Sequence, residues 1–281
     1  MRALVGKLSF LSGLRPPPAD EEWTDTPALF FLSTGRTGTT SLTRLFEKSP
    51  NVQAVHEPHP QMFAERKKAY LGGDPHASWI SDLFRRGRAR AIARAARTDK
   101  LYAETSAFLS FFTPAIHDLM PNARFVFSHR HPGEFVRSGM RRGWFESHPN
   151  DPTRLVPRDG TPEAAAWDGW GRFEKVCWLW SAFNAECLRC YDLLAPARRI
   201  TLPSQEQWDA PVGSAEKIFR FAGLTPPSAD MIQATYELRH NSQIQGDFKR
   251  YEEWSPQQRD TLYRIAGPVM EQLGYSIPAR L

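Results

Sequence analysis

Apolar residues in this chain fall into short unbroken runs that stop at glycine, proline or hydroxyl residues, alternating with stretches where they recur every three or four positions. Ala28 to Leu32 is nearly all apolar, bounded by Pro27 on one side and Ser33-Thr34-Gly35 on the other. That is the pattern of a strand covered on both faces, and so of a central strand. Beyond the loop, Leu42, Leu45 and Phe46 recur at i, i+3 and i+4, which predicts a helix opening near Thr39 with one buried stripe. A second strand is predicted over Arg124 to Ser128, after the turn residues Pro121-Asn122, with Pro132 suited to the first turn of the next helix. A short apolar piece through Val55 and the segment Arg199 to Leu202 read as further strands.

Helical periodicity is plainest in the second half. Val176, Trp180, Phe183, Cys187 and Cys190 fall on one face of a helix predicted to be buried. The segment SAEKIFRFAGL has Ser214 as its predicted N-cap and Gly223 as its stop. Near the end, Ser255 and Pro256 start a helix with the stripe Leu262, Ile265, Val269 and Leu273, which ends at Gly274 and is expected to kink at Gly267-Pro268. Strands alternating with amphipathic helices predict an α/β fold: one domain over residues 26–281, with a central, mainly parallel sheet flanked by helices. Residues 1–25, ending in PPPADEEWTD, read as an extended arm without a fold of its own, either packed on the domain or mobile.

Composition narrows this picture modestly. A chain of 281 residues suits a single α/β domain. Its net charge of +5 suits an anionic ligand, but the sign alone does not separate a nucleotide from nucleic acid. The three cysteines, Cys177, Cys187 and Cys190, share one predicted helix, so packing accounts for them better than redox chemistry does. So sparse a count fits a reducing compartment. No run is long enough to span a bilayer, and Leu4 to Leu14 is too short and too interrupted by Gly and Lys for a signal peptide; a cytoplasmic protein is expected.

The candidate chemistry begins in the loop after the first strand. Gly35 and Gly38 let the backbone approach a ligand, Arg36 adds a fixed charge, and Thr37, Thr39, Thr40 and Ser41 supply hydroxyls at a helix N-terminus. An anionic group fits there. A nucleoside triphosphatase loop would need GxxxxGK followed by Ser or Thr, and that Lys is missing. Arg130 emerges at the end of the strand Arg124 to Ser128, and Ser138 lies eight residues later on the following helix. Ligands of open α/β sheets sit beyond the carboxyl ends of the strands, so Arg130 and the first loop are expected to converge.

Together these two motifs resemble those of the sulfotransferases that use 3′-phosphoadenosine 5′-phosphosulfate (PAPS), over about residues 26 to 275. Gly35-Arg36-Thr37-Gly38-Thr39-Thr40 resembles the loop that holds the 5′-phosphosulfate, and Arg130 with Ser138 resembles the pair that holds the 3′-phosphate. The resemblance implies a P-loop-like sulfotransferase architecture, PAPS as cosubstrate, adenosine 3′,5′-bisphosphate (PAP) as product and no metal. Many carbohydrate and tyrosyl-protein members carry a catalytic Glu just after the second strand, where Glu57 stands here. His56 is the second candidate base and Glu104 the third. Small-molecule members use a His in a Lys-Thr-His segment, which aligns with Glu104-Thr105-Ser106, so Ser106 replaces that His. Arg36 takes the place of a commoner Lys and is expected to stabilise the leaving phosphate by charge alone. Lys249 and Arg250 match loosely a basic segment that the family sends back to the 3′-phosphate.

The implied reaction is in-line sulfuryl transfer to a hydroxyl of a small-molecule or carbohydrate acceptor, with nucleic acid not expected as a partner. A P-loop-type kinase and a non-catalytic module that binds PAP are the alternatives. Two regions bear on the acceptor. Arg86, Arg90, Arg94 and Arg97 fall on one helical face, to be read as a solvated face or as a polyanion site. Residues 143–173, with Trp144, Phe145, Trp167, Trp170 and Phe173, read as a lid whose aromatics either stack on the acceptor or pack together. Arg137, Arg141 and Arg142 are expected to be solvated or rim residues.

Overall fold

The computed structural model describes residues 16–238 and 246–276; the segment Leu4 to Leu14 lies outside them. Five short strands form one sheet: β1 (Ala28–Ser33), β2 (Val52–Val55), β3 (Leu101–Glu104), β4 (Ala123–Ser128) and β5 (Arg199–Thr201). Every pairing is parallel and the order is β2-β3-β1-β4-β5. The helices are α1 (Thr39–Phe46), α2 (Phe63–Gly72), α3 (Ser78–Arg97), α4 (Thr113–Leu119), α5 (Pro132–Arg141), α6 (Pro162–Ala166), α7 (Arg172–Asp192), α8 (Ser204–Asp209), α9 (Pro211–Ala222), α10 (Ala229–Glu237) and α11 (Pro256–Gln272). None of the described helices is long and apolar enough to cross a membrane.

The unbroken apolar character of β1 follows from its place. Phe30 and Leu32 point into a core with Phe84 and Ile92 of α3 and with α7, while Leu29 and Phe31 point into a second core with Leu42, Leu45 and Phe46 of α1 and Phe219 of α9. Buried on both faces, the strand has no position where a polar side chain would reach water. On its outer side α7 lies against α5 and α11, and its three cysteines are buried and unpaired as thiols. Burial holds all three thiols in the neutral form.

One local expectation needs correction. Ser214 is not the N-cap of α9: the helix starts three residues earlier at Pro211, and the buried Ser214 hydroxyl donates to the Glu206 carbonyl at 2.8 Å. Gly223 does end that helix, with φ 77°. Helix α11 is capped by Ser255 and continues through Pro268. Of the two alternatives for the arm, its described part packs on the domain. Asp20–Glu22 forms a helical turn, and Trp23 is buried 6.0 Å from the Phe84 ring.

The arginines of α3 hold that arm. Arg90 donates to the Pro16 carbonyl, Arg97 pairs with Glu22 at 2.9 Å, and Arg94 bonds Gln53 at 3.1 Å, so the face is spent on neighbours rather than set out for a polyanion. In residues 143–173 the packing alternative holds for most aromatics. Trp167 lies edge-on to Phe145 and Trp178, and Phe173 packs on Phe248 and Trp254.

One buried ion pair joins three elements at the sheet. Arg88 of α3 places its Nε 2.7 Å from Glu104 at the end of β3, and both side chains are fully buried. The Tyr102 hydroxyl donates to the same carboxylate, and the other guanidinium nitrogens of Arg88 donate to the Pro58 and Pro60 carbonyls at 3.2 Å. Removing one partner of such a pair strands the other charge in the interior. Arg88→Met is therefore expected to lose about 3–5 kcal/mol in denaturant unfolding. Arg88→Met with Glu104→Leu should recover part of it, leaving the loss of the two carbonyl anchors.

A second prediction concerns pH. His129, buried just beyond β4 and bonded through Nδ1 to the Tyr275 hydroxyl at 2.7 Å, is pushed by burial from 6.5 down to about 4. The unfolded chain binds this proton over a window where the folded one does not. The stability His129 contributes is thus complete above pH 6.5 and is lost as the pH falls toward 4, by about 3 kcal/mol at most. Unfolding midpoints recorded across that window should fall less steeply for His129→Gln than for the parent.

Candidate active site

The β1 and β4 strands pair along their whole length, Ala28 with Ala123 through Ser33 with Ser128, so their carboxyl ends finish level. The chain leaving β1 turns through α1 toward β2 at one edge of the sheet, whereas the chain leaving β4 passes toward β5 at the other. This divergence opens a crevice above the two strand ends. A cleft of about 1290 Å³ lies there.

Loop 34–38 is built to hold its shape. The Ser33 hydroxyl accepts the Gly35 N–H at 2.8 Å and pairs with the Thr37 hydroxyl at 2.8 Å, while the Ser110 hydroxyl bonds both the N–H and the carbonyl of Ser33. Gly35, Arg36 and Gly38 all have positive φ, at 76°, 64° and 88°. Gly38 is doubly required, because a Cβ there would come within 2.8 Å of Gln207 Oε1. Gln207 of α8 locks the loop by donating to the Thr37 carbonyl at 2.8 Å and reaching Ser128 Oγ at 3.3 Å. No side chain caps α1, so the positive end of its dipole faces the cleft among Gly38, Thr39, Thr40 and Ser41. Thr37 is different: it is fully buried, and its hydroxyl braces the loop.

Arg130 comes to the same place from β4. One of its guanidinium nitrogens donates to the Arg36 carbonyl at 3.1 Å, another pairs with Glu134 at 3.0 Å, and its own carbonyl accepts the Trp180 indole N–H at 2.9 Å. Ser138, two helical turns along α5, lines the cleft beside it. Arg137, Arg141 and Arg142 line it too, each partly exposed. Arg137 and Arg141 donate to the Phe248 and Gly246 carbonyls at 3.1 and 2.8 Å, which draws residues 246–250 across the opening. Arg250 lines the cleft, whereas Lys249 is exposed away from it and its carbonyl accepts the Trp254 N–H.

Glu57 lines the opposite wall, just past the end of β2, with a left-handed φ of 45°. Its neighbours on both sides are fastened. His56 Nε2 lies 3.2 Å from the Thr40 hydroxyl and Nδ1 lies 2.9 Å from the Thr105 hydroxyl and 3.0 Å from the Thr105 carbonyl, while the Pro58 carbonyl is held by Arg88. His56 thus links the phosphate loop to the end of β3 with both ring nitrogens engaged, although the residue still lines the cleft. Glu104 is displaced as a candidate base, because its buried carboxylate does not line the cleft and its Oε2 is held by Arg88 and Tyr102. Ser106 is buried as well.

The cleft is crowded with positive charge. Arg36 is pushed down to about 10 by burial first and then by Arg142 and Arg130, with Glu57 opposing. It remains a cation at neutral pH. Arg130 is shifted the same way by burial. Residues not foreseen from the sequence complete the walls: Phe63, Arg66, Phe108, Leu179, Phe183 and Arg154 beyond Glu57, and Trp208, Gln233 and Tyr236 beside the loop. Trp208 is 41% exposed and packs edge-on to Tyr236. The predicted strand ending near Leu202 was the available signal for Gln207 and Trp208, since whatever follows a parallel strand's carboxyl end faces the crevice.

No curated protein matches this sequence. Among solved structures, the chain is similar to the sulfotransferase domain from the curacin biosynthetic pathway, at 13% identity over 90% of this chain and 99% of that one, with a TM-score of 0.54. It is similar to a sulfotransferase from Alicyclobacillus acidocaldarius, at 16% identity over 91% and 97% with a TM-score of 0.52. Mouse sulfotransferase SULT7A1, complexed with PAP, matches at 12% identity over 95% and 92% with a TM-score of 0.51. At such identities the likeness is one of fold. The family model described as the sulfotransferase family matches residues 27–228, from the start of β1 to the end of the α9–α10 connection. That span takes in the loop, Glu57, Arg130 and Ser138 in one stretch and displaces the kinase alternative: the chain belongs to the sulfotransferase family.

Proposed function

We propose that this protein transfers a sulfuryl group from PAPS to a hydroxyl of a small-molecule or carbohydrate acceptor, with Glu57 as the base. The observation that carries the reading is the meeting of three separate chain segments at one cleft: the uncapped α1 loop with Arg36, Arg130 with Ser138, and Glu57 on the facing wall.

The residues present suit a nucleotide with phosphates at both ends. Arg142 and Arg130 sit close enough to Arg36 to add to its burial in lowering its pKa, an unfavourable crowding that a polyanion relieves. The backbone and hydroxyls of Gly35 to Ser41 offer donors to the 5′ group, Arg130 and Ser138 to the 3′ group, and Arg250 closes from the rim. Trp208, backed by Tyr236, presents a flat apolar face at the loop's edge that suits the adenine ring. When bound, PAPS supplies an activated sulfuryl group with PAP as its leaving group.

The chain's own contribution is placement and charge. Glu57, held from both sides by the anchoring of His56 and Pro58, accepts the proton of the attacking hydroxyl. Arg36 stays protonated at neutral pH and neutralises charge on the departing phosphate; it does not donate a proton. Trp144, His148, Asn150, Thr153 and Arg154, from the first part of segment 143–173, wall the acceptor side, and that segment serves as the lid limiting water.

Glu57→Gln is expected to lower kcat by about a hundredfold to ten-thousandfold while PAP binding, followed by calorimetry without metal, stays within twofold. Arg36→Ala should cost about a hundredfold to a thousandfold in kcat. Near-normal turnover in either variant removes that residue from its role. The test of the whole reading is incubation with labelled PAPS and a panel of phenols, alcohols, sugars and amines. Tight PAP binding with no labelled product from any acceptor would make the protein a binding module, and absence of PAP binding would overturn the donor.

A further inference from the structure

Arg66 differs from the other buried arginines. Arg88 has Glu104, Arg130 has Glu134 and Arg154 has Asp151, each at 3.0 Å or less. Arg66, in the first turns of α2, is only 8% exposed, and among the described residues its side chain makes neither a hydrogen bond nor an ion pair. Its guanidinium carbon lies 5.0 Å from the centre of the Phe183 ring and 5.6 Å from that of Phe63, so its partners are ring faces. The buried Nε has no acceptor, and the residue lines the cleft. Burial pushes the group down to about 10, which leaves it charged at neutral pH.

A buried charge held only by aromatic faces is costly to the fold. The rings meet the charge without accepting its N–H groups, so those donors are left for a partner. Position says which partner. Arg36 is part of the phosphate loop, whereas Arg66 lines the same cleft, with Glu57, packed against Phe63 and Phe183. Arg36 belongs to the donor side. Arg66 therefore faces the acceptor side, where Phe63, Phe108, Leu179 and Phe183 form an apolar wall.

We propose that the acceptor is an amphipathic anion: an oxyacid group, carboxylate or phosphate-like, pairs with the Arg66 guanidinium while the apolar body lies along Phe63, Phe108, Leu179 and Phe183. Its hydroxyl then falls at Glu57, a short distance from the anionic group. The assignment of that hydroxyl as the sulfated one rests on the sulfuryl-transfer reading; the anion site itself is open to a binding test.

The probes are para-hydroxyphenylacetate, its neutral methyl ester, and para-hydroxybenzylphosphonate, titrated calorimetrically into the full chain with and without saturating PAP. The acids should bind about ten- to a hundredfold more tightly than the ester. The tighter of the two acids identifies the headgroup. In Arg66→Met that preference should vanish while PAP affinity stays within twofold, and the unfolding midpoint should be unchanged or raised, since an unpaired buried charge has been removed. The proposal is overturned by equal binding of acid and ester, by no binding of any probe, by a preference that survives in Arg66→Met, or by a lowered midpoint in that variant. If PAP does not bind, the donor reading fails on its own, and the acid-over-ester preference measured without PAP still decides for Arg66.

Discussion

The pairing of β1 with β4 is the constraint on which the site depends. Six residues of each strand run side by side and end level at Ser33 and Ser128, so the two loops that follow leave the sheet at the same height. Because the chain then departs in opposite directions, nothing of the backbone fills the space between them. Gln207 ties both ends together by bonding the Thr37 carbonyl and the Ser128 hydroxyl, and Arg130 reaches back to the Arg36 carbonyl. A register slip of one residue would put Phe30 and Leu32 among the partners of Leu29 and Phe31 and break both cores together with the site.

What the sequence disclosed follows from how local each signal is. The apolar run of β1, the glycines of its loop and the three-four spacing of α1 are all set by neighbours in the chain, and the structure has each of them at the expected place. The limits appear where distant segments decide. Nothing near Glu104 announces that Arg88 will consume its carboxylate, and nothing near Arg141 announces the Gly246 carbonyl it will bond. Ser214 looked like a cap because hydroxyls cap helices, but Pro211 had already begun the turn. Arg86, Arg90, Arg94 and Arg97 of α3 lie on an exposed face, as their spacing suggested, but nothing near them announces that Arg90 and Arg97 will bond Pro16 and Glu22 of the distant arm.

The wall around Glu57 shows a residue fixed through its neighbours. A left-handed conformation is unfavourable for a side chain such as Glu, and it persists where the flanking structure over-determines it. Here that structure is explicit. His56 is bracketed by Thr40 and Thr105, and Thr105 in turn bonds Thr43 at 2.5 Å within α1. The Pro58 carbonyl is held by an arginine that the Glu104 carboxylate keeps in place. The helix that opens under the phosphate loop therefore also steadies the opposite wall, so donor loop and candidate base are parts of one bonded frame.

Within that frame the arginines divide by what they face. Arg88 is buried with a carboxylate and two carbonyls, and its charge is used up by the fold. Arg36 is largely buried with Arg142 and Arg130 nearby, so its charge is costly, and that cost falls when negative charge arrives in the cleft. Arg66 sits beyond Glu57 with aromatic faces in place of a carboxylate. Arg36, Glu57 and Arg66 line one cleft, together with the phosphate-loop donors and the apolar side chains of Phe63, Phe108, Leu179 and Phe183. Of the carboxylates in that lining, Glu134 is paired with Arg130, while Glu57 is fixed through its neighbours His56 and Pro58.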